Sequence, residues 1–120
     1  MTMAVVGYAM EATIEVVISQ VVQSGLSLSL SSFVDVVDEE IQLFSGLVAR
    51  PGALRRFVVA VPFRTTMVLD FIVGSDVGEH GAYETETRQI KFEAKLNGCA
   101  RRQIKLKAAT ISVKVAWSCI

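Results

Sequence analysis

The sequence predicts an α+β domain, with two N-terminal helices packed on one face of a mostly antiparallel sheet of about four strands. Three observations predict it. Apolar residues recur at spacings of three and four over 10–21 and 34–48, the pattern changes period from Arg55 onward, and Pro51-Gly52 separates the two regimes. At 120 residues the chain fits a single domain, residues 1–120, with an acidic helical part over 1–50 and a basic β part over 51–120.

Residues 4–23 read as the first helix. Met10, Ile14, Val17, Ile18 and Val21 fall on one face, and Glu11, Glu15, Ser19 and Gln23 form a polar stripe at steps of four. The β-branched content (Ile14, Val16, Val17, Ile18, Val21, Val22) speaks for a strand; the unbroken polar stripe tips the balance to helix. Gly25 suits a C-cap. Leu26, Leu28 and Leu30 alternate with Ser27 and Ser29, as a short strand or an extended linker. Ser32 then reads as an N-cap with Asp35 three residues on, and Asp38, Glu39 and Glu40 extend negative charge along the early turns. Val34, Val37, Ile41, Phe44 and Val48 share a face, so residues 33–48 form the second helix, stopped by Pro51-Gly52.

The apolar run Phe57 to Phe63 meets Pro62, which assigns it to a sheet edge or a strand end. Thr65 to Val73 places Met67, Leu69, Phe71 and Val73 on one face and Val68, Asp70 and Ile72 on the other, while residues 74–81 are a polar, glycine-rich loop. Residues 88–117 read as a long hairpin turning at Asn97-Gly98. An odd loop is required there, because it pairs Phe92 with Ile104 and Ile90 with Leu106, whereas a two-residue turn sets Phe92 opposite Gln103. The apolar parity then changes between Ala108 and Ile111, which calls for a β-bulge near Ala109. In that arrangement Arg102 joins the apolar face, and Gln103, Lys105, Lys107 and Lys114 line the other.

The net charge of zero hides a division. Residues 1–49 hold six acidic side chains and no Lys or Arg, giving −6; residues 50–120 hold six acidic and twelve basic, giving +6. Within 88–114 eight basic residues face only Glu93, giving +7. Such halves either pair within one subunit or join subunits head to tail, as a ring or filament. The hydrophobic fraction of 52% and the mean hydropathy of +0.47 exceed the ordinary apolar share and imply surface buried against another molecule. No apolar run is long enough to span a bilayer: Thr13 to Val22 is interrupted by Glu15, Ser19 and Gln20. No basic residue precedes the first apolar run, so no secretory signal is expected, and the location implied is the cytoplasm or a viral or bacterial assembly. In a reducing compartment Cys99 and Cys119 act as small apolar residues; a bridge between them requires export.

Site chemistry is sparse. His80 with Cys99 or Cys119, oriented by Glu79 or Asp76, has the elements of a nucleophile–base pair, but no local pattern supports it and a solvated loop histidine is the simpler reading. Asp70 in an apolar strand is expected to be paired, with Arg64 or Arg102, or exposed at an edge. Gly74, Gly78 and Gly81 lack phosphate-loop spacing. No catalytic residue, metal ligand or cofactor is therefore expected. The residues singled out for binding are Arg101, Arg102, Lys105 and Lys107, a basic sheet face suited to phosphates or to an acidic partner. The leading expectation is a non-enzymatic structural subunit forming homo-oligomers. The alternative is a binding module using the basic face for nucleic acid or an acidic protein. A small apolar-ligand carrier or small enzyme, with a pocket beneath Ile14, Ile18 and Phe92, is the third.

Overall fold

A computed structural model describes residues 9–34, 37–76, 78–95 and 97–119, with residues 37–39 and 119 as backbone only. The described residues form nine strands, all paired antiparallel, and a single three-residue 3-10 turn, Glu79–Gly81. In chain order the strands are β1 (Ala9–Ser19), β2 (Leu26–Val34), β3 (Val37–Val48), β4 (Gly52–Ala53), β5 (Phe57–Pro62), β6 (Thr66–Ser75), β7 (Glu84–Glu93), β8 (Gly98–Lys105) and β9 (Thr110–Cys119). Sheet I has the order β4-β1-β9-β8, with β5 also paired to β1; sheet II has the order β3-β2-β6-β7. The expected α+β class is overturned: the described residues contain no α-helix, and nothing helical packs on either sheet.

The first expected helix is β1, and the reason is arithmetic. A polar stripe at steps of four is also a stripe at steps of two, so Glu11, Glu15 and Ser19 fit the outer face of a strand as well as one side of a helix. The inner residues decide it: Met10, Ala12, Ile14, Val16 and Ile18 are all buried, at most 1% exposed, on strict alternation. Val17 belongs to the outer face and is 45% exposed. The β-branched residues were therefore the better signal, because a branched Cβ packs well on a pleated surface.

The second expected helix falls on the end of β2 and on β3. Its helix-like spacing comes from a β-bulge. Leu30 pairs with Phe44, but Ser31 pairs with Gln42, so Leu43 is the extra residue and parity flips there. By register Phe44 and Val48 thus share a side with Ile41, itself 50% exposed, which is three residues away from Phe44 rather than two or four. Ser32 sits inside β2 and caps nothing. Residues 4–8 of the first helix and Asp35 of the proposed cap lie outside the described residues.

The expected hairpin over 88–117 is two separate structures. β7 closes the edge of sheet II against β6, and β8 closes the edge of sheet I against β9, so the segment around Asn97-Gly98 crosses between sheets. The true hairpin turns later: Ile104 faces Ile111, and the Leu106 N–H donates to the Ala109 carbonyl at 2.9 Å. The parity change assigned to a bulge near Ala109 is this turn. Phe92 and Ile104 do not pair; they lie on different sheets.

Both inner faces contribute to one apolar cluster, with Leu26, Leu28 and Leu30 from β2, Met67, Leu69, Phe71 and Val73 from β6, and Ile111, Val113, Val115 and Trp117 from β9. Burying each such side chain is worth about 1.5–3 kcal/mol, and their alternation along each strand fixes the register. This leaves the odd-numbered side chains of β1 and β8 and the even-numbered ones of β9 facing out from sheet I.

Candidate functional site: the outer face of sheet I

The pairing of β1, β9 and β8 sets Glu15 opposite Lys114 and Lys114 opposite Arg101. On the far side of β1, the Leu54 N–H donates to the Val16 carbonyl at 2.9 Å and brings the following Arg56 back over the sheet. The result is a cross-strand row, Arg56–Glu15–Lys114–Arg101. Arg56 Nε lies 2.9 Å from Glu15 Oε1, and Lys114 Nζ lies 3.8 Å from Glu15 Oε2. One carboxylate is shared by two cations, and Arg101 makes no ion pair among the described residues. A neighbouring row of Val17, Ser112 and Gln103, with Ala53 and Leu54 at one side, completes a groove of about 750 Å³. Three outward cations to one carboxylate leave a net positive field, and apolar Val17 and Leu54 give the floor some dispersion contact.

The four residues singled out in the sequence go to three places. Arg101 and Lys105 face outward on β8, exposed, two strand positions on either side of Gln103. Arg102 faces inward opposite Val113. Its guanidinium carbon stands 5.6 Å from the centre of the Phe92 ring, and its Nη1 donates to the Arg101 carbonyl at 3.0 Å. Lys107 lies in the β8–β9 turn: its Nζ donates to Glu84 Oε1 and its backbone N–H donates to Glu86 Oε1, both at 3.0 Å. Arg101 and Lys105 thus share a surface; Arg102 also borders the groove but is engaged with Phe92 and the Arg101 carbonyl, and the exposed Lys107 is engaged with Glu84 and Glu86. Arg56 and Glu15 belong to the groove and were not singled out. Arg56 lies in an irregular stretch with no periodicity to place it, and Glu15 was assigned to a helix.

The other residues weighed for chemistry stand apart. His80 is exposed in the turn before β7, with Glu79 Oε1 3.7 Å from its Nε2. Cys99 is free and exposed at the start of β8, beyond the other end of the ten-residue β7. The cysteine–histidine pair is not assembled, and the side chain of Cys119 lies outside the described residues. Asp70 points outward from the middle of sheet II between Ser31 and Gln89, half-buried, and its buried Oδ1 has no hydrogen-bond partner among the described residues. Neither expected arginine pairs with it: Arg102 lies on Phe92, and Arg64 lies over the Phe63 ring at 5.5 Å. No group of three or more His, Cys, Asp or Glu residues suited to a metal is found among the described residues. No helix among them is long and apolar enough to cross a membrane.

No curated protein matches the chain. Residues 1–115 match the model of a family described as a domain of unknown function, DUF6598, and the chain belongs to that family.

Proposed function

We propose that the chain is a non-catalytic binding module whose working surface is the outer face of sheet I, and that its ligand is an acidic protein segment. The observation that carries this is the row Arg56–Glu15–Lys114–Arg101, in which the cations outnumber the single carboxylate and the Arg101 side chain makes no ion pair among the described residues. Nucleic acid fits less well. Surfaces that take single strands stack bases on exposed rings, and no aromatic residue among the described ones lines this groove. Tyr83 is exposed, but its hydroxyl lies 3.0 Å from Ser27 Oγ on the outer face of sheet II, across the molecule.

The test is a titration with polyglutamate and with a single-stranded oligonucleotide of equal charge, at low salt. Polyglutamate binds more tightly to the wild type, and the Arg101→Glu and Lys114→Glu variants each weaken it by about tenfold or more. Equal affinity for wild type and variants rejects the reading. A second reading, self-association, rests on Leu47, 85% exposed on the outer face of sheet II, with Ile72 also exposed on that face. It requires an oligomer that Leu47→Asp disperses.

A further inference from the structure

β8 is the last strand of sheet I, and its free edge can be mapped residue by residue. The Leu106–Ala109 hydrogen bond closes the hairpin, so hydrogen-bonded pairs follow at every second step: Ile104 with Ile111, Arg102 with Val113, Ala100 with Val115. The N–H and C=O groups of Cys99, Arg101, Gln103 and Lys105 therefore point away from β9, toward open solvent. Of these groups, the Arg101 carbonyl already accepts a hydrogen bond from Arg102 Nη1 at 3.0 Å. The same four residues carry the side chains of the outer face. With that one carbonyl excepted, free backbone groups and outward cations coincide on one strand.

We propose that the acidic partner is held as an extended strand added to the free edge of β8, a reading that rests on the basic outer face of sheet I as the working surface. Main-chain bonds to Cys99, Arg101, Gln103 and Lys105 hold the backbone, and alternate acidic side chains of the added strand lie beside Arg101 and Lys105. The other edges do not offer this. β3 has two register shifts against β2, β4 is two residues long, and β5 carries no charge and ends at Pro62. β7 mixes Glu84, Glu86 and Glu93 with Arg88 and Lys91. β8 alone is regular, exposed and purely basic, with three cations and no acid. A second copy of β8 is excluded as occupant, since it would set like charges side by side.

The probe is a peptide of alternating glutamate and valine, about eight residues long to match a strand. Its control is the same peptide N-methylated at alternate positions on the pairing edge. Strand addition predicts that the peptide slows amide exchange at Cys99, Arg101, Gln103 and Lys105, and that N-methylation weakens binding tenfold or more. Gln103→Pro removes only an N–H that points away from β9, so the variant keeps its fold and loses the peptide. If both peptides bind alike and no amide is protected, strand addition is wrong and the charged face alone is the site. If neither peptide binds, both readings fall. A folded Gln103→Pro variant that binds the peptide normally overturns strand addition on its own; if the variant unfolds, the amide-exchange result on the wild type decides.

Discussion

Arg102 illustrates how one side chain serves two neighbours. Its strand position turns it toward the other sheet, although the residue stays exposed. The Phe92 ring offers a π-face 5.6 Å from the guanidinium carbon, and the Arg101 carbonyl accepts a hydrogen bond at 3.0 Å. The side chain thereby covers the gap between the edges of the two sheets while its charge stays in contact with water. Replacing it with alanine removes a cation–π contact worth about 0.5–1 kcal/mol and a hydrogen bond worth about 1 kcal/mol. Arg102→Ala is expected to lower the unfolding free energy by about 1–2 kcal/mol in urea titrations. Arg102→Lys retains the charge over the ring but not the planar fork, so it recovers only part of the loss. Full recovery by lysine would show that charge alone matters at this position.

Among the elements, the β8–β9 turn depends on a strand from the other sheet. Glu86 sits on the inner side of β7 with its side chain only 11% exposed, accepts the Lys107 backbone N–H, and lies 3.8 Å from Arg88 Nη2. Lys107 Nζ is more exposed, and its pair with Glu84 belongs to a class worth about 0–1 kcal/mol. Glu86→Ala should therefore destabilise more than Lys107→Ala, which keeps the backbone donor; equal midpoint shifts in parallel urea unfolding would contradict this. The same scale shows what the sequence made legible. The alternation in Thr66–Ser75 and Thr110–Cys119 is uninterrupted, and those strands, with Phe57–Pro62 and its closing proline, were readable. β1 was obscured because Glu11, Glu15 and Ser19 satisfy both periods, and β3 because the extra residue at Leu43 imitates a helical step of three. The site was half legible. Alternation placed Lys105 and Lys114 on one face and Arg102 on the other, but Arg56 comes to Glu15 through β4 and the irregular segment after it, which no local pattern announces. Nor does a sequence say that the strand ending at Glu93 and the one starting at Gly98 belong to different sheets.

For the whole molecule, the division into acidic and basic halves takes a different meaning in three dimensions. β1 lies between β5 and β9 in sheet I, so Glu15 from the acidic half meets Arg56 and Lys114 from the basic half inside one chain. The concentration of positive charge between Arg88 and Lys107 follows the exposed strands β7 and β8, where lysine and arginine oppose edge-to-edge pairing of identical chains. The bulges of β3, the brevity of β4 and Pro62 at the end of β5 act in the same direction on the remaining edges. With Glu15 paired inside the chain and the sheet edges blunted, light scattering should give a mass near 13.1 kDa. That mass should hold both at low salt and at about 1 M, where screening acts within roughly 3 Å. A larger species that dissociates as salt rises would mean that opposite charges join chains after all, and would transfer the role of the basic edge from an acidic partner to a second copy.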